Sequence, residues 1–189
     1  MGDVVARAVD VLREAGARLE PGLSDGEVAG LQARWGIVLC TDHAALLRLA
    51  VPVGDGWIDW RTAPDDLIRE RLRAPREGLL FDVARNGFWP GSWGPRPSDP
   101  GVAAEAASVR LATWPRLVPL YGHRYLPPGP YPSPSPVLSV VQSDVIYYGR
   151  DLLAWVRREF LGVPLPEQPR PAELPFWSKL AEGWADHDL

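Results

Sequence analysis

Twelve of the chain's 21 prolines lie between Pro90 and Pro136, and that density limits what this half of the chain can become. A proline has no amide to donate and holds φ at about −65°, so central strands and helix interiors reject it. The run Pro127–Pro136 is therefore expected as an extended surface loop. Regular structure is left to the gaps. Val102–Trp114 reads as a short helix that ends before Pro115, and Arg116–Gly122 reads as a strand. Pro136–Val141 and Asp144–Gly149 are β-branched and aromatic, with Gln142 and Ser143 near a tight turn, which predicts a hairpin. Asp151 is placed to cap a helix whose Leu152, Trp155, Val156 and Phe160 share one face.

The first third of the chain has the opposite texture. Val4, Val5, Ala8, Val9 and Leu12 recur at helical spacing between Asp3 and Ala17. In Leu23–Val28, Ser24 and Glu27 form the reciprocal pattern of a capping box, and Leu23 and Val28 occupy its hydrophobic staple positions. That helix is expected to stop at Gly36. A second begins at Thr41 or Asp42 and carries Leu46, Leu47 and Leu49. Pro52–Gly56 reads as a loop, and Trp57–Trp60 as an extended piece. Pro64, Asp65 and Asp66 suit the first turn of another helix. Pro75 is expected to interrupt it, leaving Gly78–Val83 as a short strand.

At 189 residues the chain fits one domain, with 46% hydrophobic residues to supply a core. The expected division is a single domain over 1–163 and a proline-rich tail over 164–189 that packs back through Phe176, Trp177 and Leu180. No apolar run is long enough for a spanning helix. The N-terminal stretch, with Asp3, Arg7, Asp10, Arg13 and Glu14, does not read as a secretory leader. A single cysteine, Cys40, is compatible with a reducing cytoplasm. The net charge of −4 argues against a nucleic-acid surface, which needs a basic stripe.

Candidate chemistry is sparse. His123 and Asp144, with Ser139 or Ser143 nearby, invite a hydrolase triad, but the chain lacks a G-x-S-x-G elbow. The competing reading has His123 and Arg124 ending a strand, with the tyrosine rings around them buried. Cys40 and His43 stand three apart at a helix start, yet Cys40 sits in an apolar link and reads as an inert thiol. Histidines occur only at 43, 123 and 187, with no H-E-x-x-H or C-x-x-C spacing, so no metal is expected, and no phosphate loop or other cofactor signature is present. Among nine tryptophans, Trp89 and Trp93 bracket a loop, where they either bury themselves or anchor a partner.

Gly22–Ala50 resembles the opening of the SMI1/KNR4-like proteins, the SUKH superfamily. The matching features are Leu23, Ser24, Glu27, Leu31, Trp35, Gly36, Ile37 and the helix with Leu46, Leu47 and Leu49. Where that family often carries Leu-Pro, this chain has Leu39-Cys40. Gly78–Pro97, Leu117–Pro127 and Pro136–Phe160 look like a bacterial branch of the same group, so the resemblance spans roughly Leu19 to Phe160. It implies an α+β fold, with N-terminal helices packed against a mainly antiparallel β-sheet and a C-terminal helix after the last hairpin. It also implies a non-catalytic protein-interaction domain, a cytoplasmic immunity protein that binds and neutralises a cognate bacterial toxin, such as a nuclease or deaminase domain.

An inhibitor of a basic nuclease gains association rate from acidic surface. Asp55, Asp59, Asp65, Asp66 and Glu70 cluster in sequence and are the candidate partner-binding residues, with Trp89 and Trp93. An ordinary solvated helix start explains the same acids equally well. The alternative function is a small-molecule-binding module or minor hydrolase centred on His123, Arg124, Tyr125 and Asp144.

Overall fold

A computed structural model describes residues 2–164 and 171–183. Among them are seven helices and two antiparallel sheets, one of two strands and one of four, in an α+β arrangement. The elements run α1 (Gly2–Glu14), β1 (Arg18–Pro21), α2 (Asp25–Trp35), α3 (Thr41–Leu49), β2 (Ala50–Val53), α4 (Asp65–Arg85), α5 (Pro100–Leu111), β3 (Val118–Tyr121), β4 (Arg124–Leu126), β5 (Val137–Val141), β6 (Asp144–Gly149), α6 (Leu152–Leu161) and α7 (Trp177–Ala181). A 3-10 turn covers Gly91–Trp93.

The capping box forms as expected. The Ser24 side chain accepts from the Glu27 amide, and the Glu27 carboxylate accepts from the Ser24 amide at 2.7 Å. Leu23 and Val28 are both buried, and Gly36 ends α2 in the left-handed conformation at φ 59°. α3 differs from expectation. Its N-cap is Cys40, which makes no side-chain cap bond. Asp42 instead turns inward, and its carboxylate accepts from Ser133 Oγ at 2.7 Å and the Ser135 amide at 2.6 Å. One buried acid thus ties the proline loop to α3. Gly129 completes the docking by donating to Val38 O at 2.7 Å.

Two short strands were not anticipated. β1 and β2 pair with Leu19 opposite Pro52 and Pro21 opposite Ala50, so the expected Pro52–Gly56 loop begins only after Val53. Each strand of a two-stranded ladder has a free edge, which is where a sheet accepts proline. α4 departs furthest. It runs unbroken through Pro75, and the expected strand at Gly78–Val83 is its second half. Proline at 75 removes the amide that would bond Arg71 O, four residues back. The hydroxyl of Tyr125, on β4, donates to that carbonyl at 3.2 Å. A group from another element thus supplies the hydrogen bond that Pro75 withholds.

The four-stranded sheet, in the order β3-β4-β5-β6, has helices on both faces. Arg124, Ser139 and Ile146 stand side by side across β4, β5 and β6, and Arg124 reaches Glu159 on α6. Tyr125, Leu138 and Tyr147 form the next row and must face the other way, because strand side chains alternate. Tyr125 meets α4, and Tyr147 donates to Ser178 Oγ on α7 at 2.8 Å. The β5–β6 turn docks on α4, where Gln142 crosses Gly78 so closely that a Cβ there would lie 3.0 Å from Gln142 Cα. One helical turn on, buried Asp82 accepts from the amide and hydroxyl of Ser143. Leu174, Trp177 and Leu180, from the C-terminal segment, are buried in the main core with Leu79, Leu138 and Trp155.

Candidate functional site

The segment between β3 and β4 carries His123. Tyr121 and Gly122 are held against the Gly54–Trp57 loop: Gly122 donates to Gly56 O at 2.8 Å, and a Cβ on Gly56 would lie 2.6 Å from the Tyr121 ring. Arg71 of α4 closes this corner by donating to Gly56 O at 3.2 Å. His123 is exposed at the turn. Partial loss of water on the ring's inner side and the nearby Arg124 charge lower its pKa, against the raising effect of Glu159.

Arg124 lies under that turn and is buried. It pairs with Glu159 at 2.8 Å, donates to Ser139 Oγ at 2.9 Å, and stacks 3.6 Å over the Tyr148 ring, which Arg158 covers at 3.9 Å. Glu159 also accepts from the indole of Trp155 at 3.3 Å. Every donor direction used by Arg124 ends on protein, so this guanidinium holds α6 to the sheet and has no free face for a ligand. Tyr125 is in the core, with its hydroxyl on Arg71 O. Asp144 is exposed at the start of β6 and pairs with Val141, while His123 O accepts from Val140 on β5. A full strand therefore separates His123 from Asp144, roughly 10 Å of sheet, and no hydrogen bond joins them. Ser143 is bonded to Asp82. The fold does not gather His123, Arg124, Tyr125 and Asp144 into one pocket.

Cys40 and His43 come together at the start of α3, both buried. Burial pushes the Cys40 thiol up, away from thiolate. His43 Nδ1 has no hydrogen-bond partner, and burial lowers the imidazole to about 3. Neither group is presented to solvent. Among the described residues no cluster of three or more His, Cys, Asp or Glu is placed to hold a metal, and no helix is long and apolar enough to cross a membrane. His187 lies outside the described residues.

The tryptophan pair is corrected by burial. Trp93 is only 7% exposed and packs edge-on against Phe88, Trp89 and Trp114. It cannot anchor a partner, because the Gly91–Trp93 turn folds the ring inward. Trp89 is half-buried, with its indole donating to Gly94 O at 2.8 Å.

The acidic run divides in two. Asp59 closes its own loop by accepting from Thr62 and the Arg61 amide; burial raises its carboxyl, but these bonds outweigh that and hold it below the usual range. Asp65 is paired with Arg34 and Arg69. Arg61 is taken by Glu27 at 2.7 Å and by the carbonyls of Pro21 and Gly22. Asp55, Asp66 and Glu70 remain exposed, with no ion pair among the described residues. Asp59 and Asp65 thus brace the segment, while Asp55, Asp66 and Glu70 are its available charges.

Sequence reasoning missed Glu159 as the group that fixes Arg124. The signal was there: Glu159 follows Trp155 by four residues and so shares its buried helical face, where a carboxylate needs a cation. Arg71 gave no such signal, because its side chain reaches the carbonyl of Gly56, 15 residues away in a loop. No family model, curated protein or solved structure matches the chain.

Proposed function

We propose that this chain is a non-catalytic interaction protein of the SMI1/KNR4-like kind, acting in the cytoplasm as an immunity protein that occludes a toxin domain. The observation that carries the reading is the exposed trio Asp55, Asp66 and Glu70, which have no ion pair among the described residues and sit on a segment braced by Asp59 and Asp65. Exposed carboxylates suit a basic partner surface, because they steer encounter at low salt. Of the polar groups that resembled a catalytic set, Arg124, Tyr125, Ser139 and Ser143 are engaged in the packing of α6, α4 and the sheet, while His123 and Asp144 are exposed and separated by a strand.

The partner is a basic toxin domain, a nuclease or a deaminase, encoded beside this chain. The test is co-expression of that neighbouring domain with the wild-type chain and with Asp55→Lys, Asp66→Lys, Glu70→Lys together. The wild type is expected to protect cells and to bind one-to-one, with an association rate that falls as salt rises. The triple variant should associate at least about tenfold more slowly. Equal protection and equal rates for the two chains would refute the proposal.

A further inference from the structure

α5 is apolar on two sides. On one, Ala103, Ala107 and Leu111 are buried against the body of the protein. On the other, Val102 and Val109 are 53% and 66% exposed, Val109 more so than any other large apolar side chain among the described residues. Ala106 lies between them, so the three follow spacings of four and then three residues and form one stripe. By helical geometry that stripe stands about 130° around the helix from the buried one. A helix that is apolar all round is ordinarily covered all round, and among the described residues nothing covers this side.

Two charges flank the stripe. Glu105 and Arg110 stand about 70° to either side of it, and they line one open groove with Val102, Ala106 and Val109. Both are exposed. Glu105 has no ion pair among the described residues. Arg110 donates to Trp93 O at 2.8 Å and lies 5.9 Å from the Trp93 ring, with no carboxylate partner among the described residues. On opposite flanks and five positions apart, Glu105 and Arg110 cannot meet within one helix. They can meet across two. When two copies of such a helix lie parallel with their valines in register, a residue on one flank faces the residue five positions further on in the neighbour, which is how parallel helix pairs place their interhelical ion pairs. Glu105 then faces Arg110 of the second copy, and two-fold symmetry makes the pair twice. An antiparallel arrangement sets like charges on each flank, which is repulsive.

We infer that the Val102–Ala106–Val109 face of α5 is a self-association surface, on which a second copy of this chain seats its own α5 in parallel, with Glu105 of each copy on Arg110 of the other. Ala106, in the middle of the stripe, suits a close approach within the usual interaxial range of about 8–10 Å. α5 is already folded by its packing on α4, so pairing does not carry the cost of nucleating a helix. The contact is small. A helix of 12 residues is about 18 Å long, which falls short of the roughly 800 Å² per partner of a stable interface. The dimer is therefore weak and reversible, forming at about 0.1 mM. This surface is separate from the 55–70 segment and does not depend on the toxin-binding reading.

The experiment uses the full chain, followed by analytical ultracentrifugation and by ¹H–¹⁵N NMR from about 10 μM to 1 mM at low salt. The mass is expected to rise towards that of a dimer, with concentration-dependent shifts centred on α5. Val109→Asp should remain a monomer over the whole range. Glu105→Arg and Arg110→Glu should each weaken association at least about tenfold, and an equimolar mixture of these two variants should regain it, because their flanks are then complementary. Val102→Cys should oxidise to a disulfide-linked dimer, since parallel pairing sets position 102 opposite itself; Cys40 is buried and does not compete. Thermal midpoints of the variants separate lost association from lost folding. A monomer up to about 1 mM overturns the inference, as does unchanged association of Val109→Asp or a mixture that associates no better than either charge variant alone. Dimers in which Val102→Cys does not cross-link overturn the parallel arrangement. A monomeric wild type whose Val109→Asp variant loses toxin binding overturns self-association and gives this face to the toxin.

Discussion

Pro75 lies inside a 21-residue helix, and the sheet supplies the hydrogen bond it cannot make. A double-mutant cycle on Pro75 and Tyr125 measures that substitution of one donor for another. In the wild type, Tyr125→Phe removes the hydroxyl that donates to Arg71 O at 3.2 Å and leaves that carbonyl without its donor. A partly buried acceptor stranded in this way costs about 1–3 kcal/mol. Burial pushes the Tyr125 phenol up from its ordinary value, so the hydroxyl stays a donor throughout the usual pH range. With Pro75→Ala, residue 75 regains an amide, which falls on the same carbonyl by ordinary helical geometry. In that background Tyr125→Phe should cost no more than about 0.5 kcal/mol.

The single effect of Pro75→Ala is not needed and has no simple sign. Helix propensity favours alanine by about 3 kcal/mol, whereas the buried proline ring gives up packing. The cycle cancels both. Urea unfolding of the four proteins, followed by far-UV circular dichroism and by tryptophan fluorescence to check two-state behaviour, yields the coupling. A value of about 1–2 kcal/mol is expected. If Tyr125→Phe costs the same in both backgrounds, the hydroxyl is not what sustains the helix past Pro75.

Three further outcomes follow from other buried or braced groups. His43 is held at about 3 in the folded chain against 6.5 unfolded, so its contribution is complete above pH 6.5 and is lost as pH falls towards 3; the wild type should lose about 2–3 kcal/mol between pH 6.5 and 4.5 that His43→Gln does not lose, measured by urea unfolding at each pH. Glu27 is lowered to about 2, first by the hydrogen bond from Arg61 and then by the Ser24 bonds, so its stabilisation is present above pH 4.5 and fades as pH falls through 2; an NMR titration should find its carboxyl midpoint well below the ordinary value and raised in Arg61→Ala. Asp82→Ala strands the Ser143 amide and hydroxyl and should cost about 3 kcal/mol by thermal or chemical unfolding, whereas Asp144→Ala, at an exposed strand start, should leave stability within about 0.5 kcal/mol.

What could be read from the sequence was whatever rests on neighbouring residues. The apolar stripe of α1, the capping box of α2, the Asp151 cap of α6 and the β5–β6 hairpin each depend on spacings of four residues or fewer, and each stands as expected. The misreadings all depend on distant partners. α4 continues because Tyr125 serves a carbonyl 54 positions away. β1 and β2 exist because four-residue segments whose paired residues lie 29 to 35 positions apart find one another, despite a proline in each. Asp42 does not cap α3 because Ser133 and Ser135 occupy its carboxylate. At the candidate site the same division holds. The exposure of Asp55, Asp66 and Glu70 is ordinary for acids in a loop and on the first two turns of a helix. The inward turn of Trp93 and the Arg124–Glu159 pair required the assembled core.

The density of prolines explains why so many polar side chains are buried here. A chain that gives up backbone donors must satisfy its carbonyls and anchor its loops by other means. In this fold the substitutes are side-chain hydroxyls, indoles and carboxylates. Tyr131 donates to Ala172 O, fixing the C-terminal segment to the proline loop. Trp177 donates to Pro115 O, Tyr147 to Ser178, and Ser133 and Ser135 to Asp42. A histidine, serines, aspartates and tyrosines collected near one hairpin therefore look like an active site in sequence, yet in the fold most of them serve as tethers. With those groups occupied, the proposed partner contact rests on Asp55, Asp66 and Glu70, which are exposed and have no ion pair among the described residues.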